Sequence, residues 1–188
     1  MGKLRTNVIG FDDAPFDRDH RGDVLLVGVV CSRTRIDGIV STRVRRDGRN
    51  STSRMIEVIR RSQFVEHVQC VLLQGIAVAG FNVVDVHALH DALDVPVIAI
   101  TRRTPDFAAM RRALDARVRG ADRKWKLIRA AGPLDAVRGV LVQRVGITLD
   151  HAREVLAATT LHGNLPEPLR VAHLVAGGVT TGASRGRA

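Results

Sequence analysis

A neutral amide stands where the chain is set up to do chemistry. In "VLLQGIAVAGFNVVD" (residues 71–85) an apolar strand ends at Leu73, the chain turns at Gly75, and Gln74 occupies the tip. Strand ends of open α/β sheets carry functional side chains, and a charged or nucleophilic group is the expectation there. An amide supplies only a carbonyl acceptor and an NH2 donor. A second candidate group is His87, His90 and Asp91, whose helical spacing is that of a metal site; the same spacing describes a solvated helix face, and that is the reading adopted. The third is arginine. The chain has 29 basic against 19 acidic residues, a formal net charge of +10, and only three lysines, which leaves 26 arginines. Guanidinium groups grip phosphates bidentately, and a basic surface draws polyanions. GC-rich coding is the alternative source of arginine in place of lysine; it does not explain the excess of positive over negative charge. Aromatic residues are 3% and tyrosine is absent, which speaks against single-strand binding by stacking.

The elements that must position these groups are legible in outline. At 188 residues the chain is long enough for one compact domain with a core. Its longest apolar run, residues 24–31, is too short to span a bilayer. The opening "MGKLRTNVIG" lacks an apolar signal-peptide core, so a cytoplasmic location is expected. Cys31 and Cys70 lie in strand-like segments and read as buried free thiols rather than a disulfide framework. Strands are predicted over residues 8–12, 24–31 and 36–45, and the short breaks between them make antiparallel neighbours. In the third, Ile39, Ser41, Arg43 and Arg45 alternate with Val40, Thr42 and Val44, a sheet with one wet face. The rhythm then changes to a helix over 51–65, a strand over 68–73, a helix starting near Asn82 and running to residue 93, a strand over 95–101, a helix over 105–118 and a helical piece around Trp125. A short strand over 139–146 and helices over 149–158 and 168–176 close the chain, with a basic tail from about residue 177. Three antiparallel strands followed by alternating helices and strands is the order of a ribonuclease H-like mixed sheet, an α/β fold in a single domain over residues 1–188.

The segments "GFDDAPF", "VLLQGIAVAGFNVVDVHAL" and "PEPLRVAHLVAGGVTTGASRGRA" resemble, over the whole chain, the largely archaeal family catalogued as domain of unknown function ninety-nine. That family in turn resembles endonuclease V, a metal-dependent nuclease. The resemblance implies that Asp12 in "IGFDD" takes the place of an Asp at the end of the first strand. Gln74 in "LLQG" falls on an Asp, Arg102 after "PVIAIT" on a Lys, and His173 in "PLRVAH" on a late metal ligand. A Glu between the third strand and the first helix has no counterpart in "RRDGRNSTS"; Asp47 is the nearest carboxylate, and Asn50 stands where the family pattern has an acid. The closing "GASRGR" has Ala183 where the family has Glu. Endonuclease V's Pro-Tyr-Ile-Pro wedge is also missing, so inosine specificity is not carried over.

Hydrolysing a phosphodiester needs a divalent ion, Mg or Mn, held by hard oxygen ligands. The resemblance makes Asp12, His173 and Asp47 the candidate metal ligands. It makes Asp12, Gln74, Arg102 and His173 the candidate catalytic set, and Arg102, Arg103, Arg170 and Arg185 the contacts to nucleic acid. In an extended strand only one of Asp12 and Asp13 faces a given side; Asp12 follows the motif and Asp13 points away or toward the loop. Replacing an acid by Gln74 removes one negative charge from a site built for a dication, so the site reads as degraded or repurposed. Without the resemblance, Asp12 is a turn residue at a strand end, His173 a buried helix histidine, and Asn50 a helix N-cap. The reading is a nucleic-acid-binding protein of endonuclease V type with a weakened Mg or Mn site; the alternative is an inactive protein-interaction or scaffold domain.

Overall fold

The structure, a computed structural model, describes residues 6–184. Strands β1 (Asn7–Asp13), β2 (Asp23–Ser32) and β3 (Arg35–Arg45) form an antiparallel meander. After α1 (Ser51–Arg60) the chain returns as β4 (Cys70–Gln74), parallel to β1. A two-stranded ribbon, β5 (Ala77–Val78) and β6 (Asn82–Val83), precedes α2 (Val86–Leu93) and β7 (Val97–Thr101), which lies parallel to β4. Then come α3 (Phe107–Arg117), α4 (Ala121–Ala130), the hairpin β8 (Asp135–Val137) and β9 (Val140–Val145), α5 (Leu149–Thr159) and α6 (Glu167–Thr181). The main sheet runs β3-β2-β1-β4-β7-β9-β8. It is mixed, with a parallel centre. Its central strands, CVLLQ and VIAIT, are buried at four of five positions, the run of apolar side chains that a strand covered on both faces requires. No helix among the described residues is long and apolar enough to cross a membrane.

Two features position the site. First, β3 runs in the same direction as β1, β4 and β7, so Arg45, Asp13, Gln74 and Thr101 end at one edge of the sheet. Second, α6 lies directly on β1. A Cβ on Gly10 would sit 2.7 Å from Pro168 Cβ and 2.9 Å from the Leu169 nitrogen, so only glycine lets the helix come this close. From Pro168 to His173 the helix rises about 7.5 Å, and from Gly10 to Asp12 the strand advances roughly 6.6 Å. Running side by side, the two elements bring His173 over Asp12.

The structure departs from the sequence reading in several places. The first helix ends at Arg60, not at residue 65: the Ser62 hydroxyl donates to the Ile59 carbonyl and accepts from the Phe64 amide, and Phe64 folds onto Gly38 of β3. The helix expected to start near Asn82 starts at Val86, capped by Asp85, whose carboxylate accepts from the Ala88 amide. Asn82 is in β6 and caps a different helix. Its carbonyl accepts from the Ser51 amide at the start of α1, the service expected of Asn50. The hairpin strand β8 was not anticipated. Helix α6 continues to Thr181, so a tail beginning near residue 177 starts inside the last turns of that helix.

Candidate functional site

Asp12 is 5% exposed and faces α6. Its two carboxylate oxygens have one partner each. Oδ1 accepts from the Asp13 amide at 3.0 Å, and Oδ2 meets His173 Nδ1 at 2.8 Å. Burial raises its pKa, opposed by the His173 contact and the Arg102 charge. With Nδ1 turned to the carboxylate, His173 keeps Nε2 for a ligand or a proton. Asp13 faces the other side of the sheet and accepts from the Ala79 backbone; burial, with the neighbouring Asp12 charge, pushes it up to about 6. The consequence for stability follows from linkage. Below about pH 4 both folded and unfolded chains hold the proton. Between there and 6 only the unfolded chain ionises, so the folded state loses stability as pH rises. Asp13→Asn should remove that loss while keeping an acceptor for Ala79. In metal-free buffer its melting-temperature gain over wild type should be absent near pH 4, grow up to about pH 6 and stay level above it. A gain independent of pH would show that Asp13 is not a strained carboxylate.

Gln74 joins them by register. The β1–β4 pairing reaches Phe11 opposite Leu73, so one residue further along Asp12 and Gln74 are neighbours on one face. The Gln74 carbonyl oxygen is buried and has no hydrogen-bond partner among the described residues. Gln74 opens onto a cleft of about 460 Å3 lined also by Gly75, Thr101, Arg102, Arg103 and Leu165. Gly75 makes the turn at the lip with φ of 87°. Around the strand end, on the sheet's other face, lies a more apolar recess of about 230 Å3, lined by Ile76, Ala77, Phe107, Met110 and Gln143 among others.

Other expected members lie elsewhere. Asp47 is turned aside: with φ of 50° its amide donates to the Ala79 carbonyl, while Oδ1 accepts from the Phe81 amide and Oδ2 pairs with Arg46 Nε at 3.3 Å. Among the described residues no three His, Cys, Asp or Glu side chains gather as a metal would need, so Asp47 does not complete a set with Asp12 and His173. Asn50 accepts from the Arg45 amide and from Asn82, a structural use in which an amide serves as well as an acid. Arg170 is held in a bidentate pair with the buried Glu167, with its own side chain still partly exposed. Arg185 lies outside the described residues. His87 and His90 bond to the carbonyls of Ala130 and Val95, as a helix surface requires and a metal site does not. Sequence reasoning missed Lys124, whose buried ammonium donates to the carbonyls of Asp47, Gly48 and Phe81, each at 2.6 Å. No local pattern marks it, because its partners are 43 to 77 residues away.

The fold is shared with endonuclease V. The Bacillus subtilis endonuclease V superposes with a TM-score of 0.58 at 14% identity, over 91% of this chain and 79% of that one. Endonuclease V of Ciona intestinalis, in complex with a 24mer DNA containing an inosine followed by a ribo-adenosine, gives 0.54 at 16% identity, over 89% and 82%. A crystal structure of an Archaeoglobus fulgidus protein matches at 0.87 and 30% identity, over 93% and 98%. In sequence, a UPF0215 protein of Deinococcus radiodurans is 49% identical over 182 residues, covering 97% of this chain and 93% of its relative. The endonuclease dU family profile matches residues 5–180, and the chain belongs to that family.

Proposed function

We propose that this protein binds nucleic acid across the strand-end cleft and cleaves a phosphodiester beside deoxyuridine, with Mg or Mn held by the Asp12 carboxylate and the Gln74 carbonyl, and with His173 orienting Asp12 through Nδ1. The observation that carries the reading is the Gln74 oxygen, buried and without a hydrogen-bond partner among the described residues, next to the Asp12–His173 pair. One carboxylate and one amide oxygen are hard ligands that fit a divalent ion keeping several of its waters, with less negative charge than a two-carboxylate site offers. The ion, when bound, polarises the phosphate and activates water. The chain's own residues do the rest. Asp12 accepts from His173 Nδ1, which fixes the carboxylate toward Gln74 and leaves His173 Nε2 facing outward to hold or move a proton. Arg102 and Arg103 line the cleft as counter-charges for phosphate. The family's description supports deoxyuridine as the base, and the cleft of about 460 Å3 onto which Gln74 opens has room for one unstacked pyrimidine.

A second reading is a nucleic-acid-binding protein that does not cleave. Gln74 in place of an acid and Asn50 committed to structural hydrogen bonds favour it. Labelled oligonucleotides carrying one deoxyuridine, or thymidine as control, decide between the two in the presence of Mn2+. The expected result is cleavage at deoxyuridine only, reduced at least about 100-fold in Asp12→Ala, a loss of about 2.7 kcal/mol in transition-state stabilisation. Arg102→Ala should weaken binding to every sequence alike and lower the salt slope by about one. Salt-dependent binding without cleavage selects the second reading, and no binding at all overturns both.

A further inference from the structure

We infer that the β1–β2 loop and the end of β3 form a second phosphate-binding surface, on the opposite flank of the catalytic cleft from Arg102. The inference rests on the reading that the cleft receives a nucleic-acid strand. A groove of about 320 Å3 is lined there by Arg18, Arg21, Arg45 and Arg46, with Asp19 and Asp47 as its carboxylates. Both Asp47 oxygens are already engaged, by the Phe81 amide and by Arg46, which leaves the groove basic. Arg49 is exposed in the same β3–α1 loop. The side chains of Arg18, Arg21 and Arg49 are exposed, and none has an ion-pair partner among the described residues. Among the described residues Arg45 has only a long 3.7 Å ion-pair contact, to Asp23.

The loop presenting Arg18 and Arg21 is braced from behind. Arg46 Nη1 donates to the carbonyls of Asp17, Arg18 and His20, and its guanidinium lies 5.4 Å from the centre of the Phe16 ring. A nine-residue connection carrying so many charges would otherwise be costly to order on binding. One arginine is thus spent on holding the backbone, so that two others point outward. The surface is also tied to the catalytic edge. Asp47 donates its amide to the Ala79 carbonyl, and the Ala79 amide meets Asp13.

Strand order sets the reach. Arg45 ends β3 and Arg102 follows β7, with β2, β1 and β4 between them. Four strand spacings of about 4.8 Å make roughly 19 Å. In a stacked strand, which rises about 3.4 Å per nucleotide as in duplex DNA, that is five or six steps, and fewer if the strand is extended. The geometry therefore places phosphate contacts on both sides of the Asp12–Gln74 edge, at a spacing that requires a strand of about that length.

The test is binding of fluorescent single-stranded DNA and RNA, as a 20-mer and as a 4-mer, measured by anisotropy over a salt series. The proteins are wild type, Arg18→Ala/Arg21→Ala/Arg49→Ala, and Arg102→Ala, with melting curves to confirm folding. Should the triple variant unfold, Arg21→Glu alone serves. The triple variant should bind the 20-mer at least about tenfold more weakly, with a salt slope lower by roughly two, since each phosphate contact on a single strand contributes about 0.7. On the 4-mer, too short to span both flanks, its binding should equal that of wild type. If the triple variant binds the 20-mer like wild type while Arg102→Ala does not, the second surface is absent and the reading of the cleft stands. Equal weakening on 4-mer and 20-mer overturns the spanning geometry. If wild type itself shows no salt-dependent binding, the reading of the cleft fails as well.

Discussion

In Gln74→Asp, Mn2+ should raise the melting temperature by more than it does in the wild-type protein. The metal-free variant should melt below wild type. Both effects come from one charge. Asp12 is buried, and burial already raises its pKa. A second carboxylate on the same face, one strand away, increases the cost of ionising both. A divalent ion between them offsets that cost and gains a charged ligand where the amide gave only a dipole. Each tenfold tightening of the metal adds about 1.4 kcal/mol to the stability of the loaded protein, or roughly 3–6 °C for a domain of this size. The deoxyuridine cleavage rate should rise in parallel. The measurement is a pair of melting curves with and without Mn2+, for both proteins, beside the cleavage assay. Equal metal-induced shifts in the two, or none in either, would show that Gln74 is not at a metal site; its buried oxygen would then be a defect of packing at the turn.

The order of elements was open to inspection in the sequence because it rests on local rules. Alternation in β3 and short breaks between the first three strands define a meander, and unbroken apolar runs define the two central parallel strands. The pairing of Asp12 with His173 was a different matter. The two are 161 positions apart, and no periodicity connects them; the matched motifs did, with Gly10 as the physical reason the helix can lie so close. What stayed hidden was tertiary hydrogen bonding. Asp47 looked available because it was the nearest acid in the chain, but a positive φ and the Ala79 and Phe81 contacts turn it into a loop brace. Asn82 looked like a helix start because asparagine caps helices, and it does cap one, α1, 31 residues earlier in the chain. Arg170 reads as a phosphate contact, and its guanidinium is also paired with the buried Glu167, one turn before it. In each case the residue type was read correctly as a polar group in need of a partner, and the partner lay beyond any local window.

Lys124→Met should be the most destabilising single substitution in the scaffold behind the site. Its ammonium closes three backbone carbonyls, two from the β3–α1 loop and one from the loop between β5 and β6. Those two loops carry Asp47 and Ala79, and Ala79 is what Asp13 leans on. Methionine keeps an apolar stem, one atom shorter, so the change removes the charge and its hydrogen bonds with little loss of packing. Removing the donor leaves three carbonyls facing each other in a site that is 5% exposed. Hydrogen bonds to a charged group contribute about 1.5–3 kcal/mol each and do not add fully, so a loss of at least about 3 kcal/mol is expected. For this chain length that is roughly 6–12 °C in melting temperature. Lys126→Met, on the exposed side of the same helix, should change stability by no more than about 0.5 kcal/mol. The structural role also makes a functional forecast. At a temperature where Lys124→Met is still folded, loosening the Asp47–Ala79 link should weaken 20-mer binding through the Arg18 and Arg21 surface before it affects the Asp12–His173 pair, which α6 holds independently. Melting temperatures within about 2 °C of wild type would mean that water can replace the ammonium, and that the two loops are held by their backbone contacts alone.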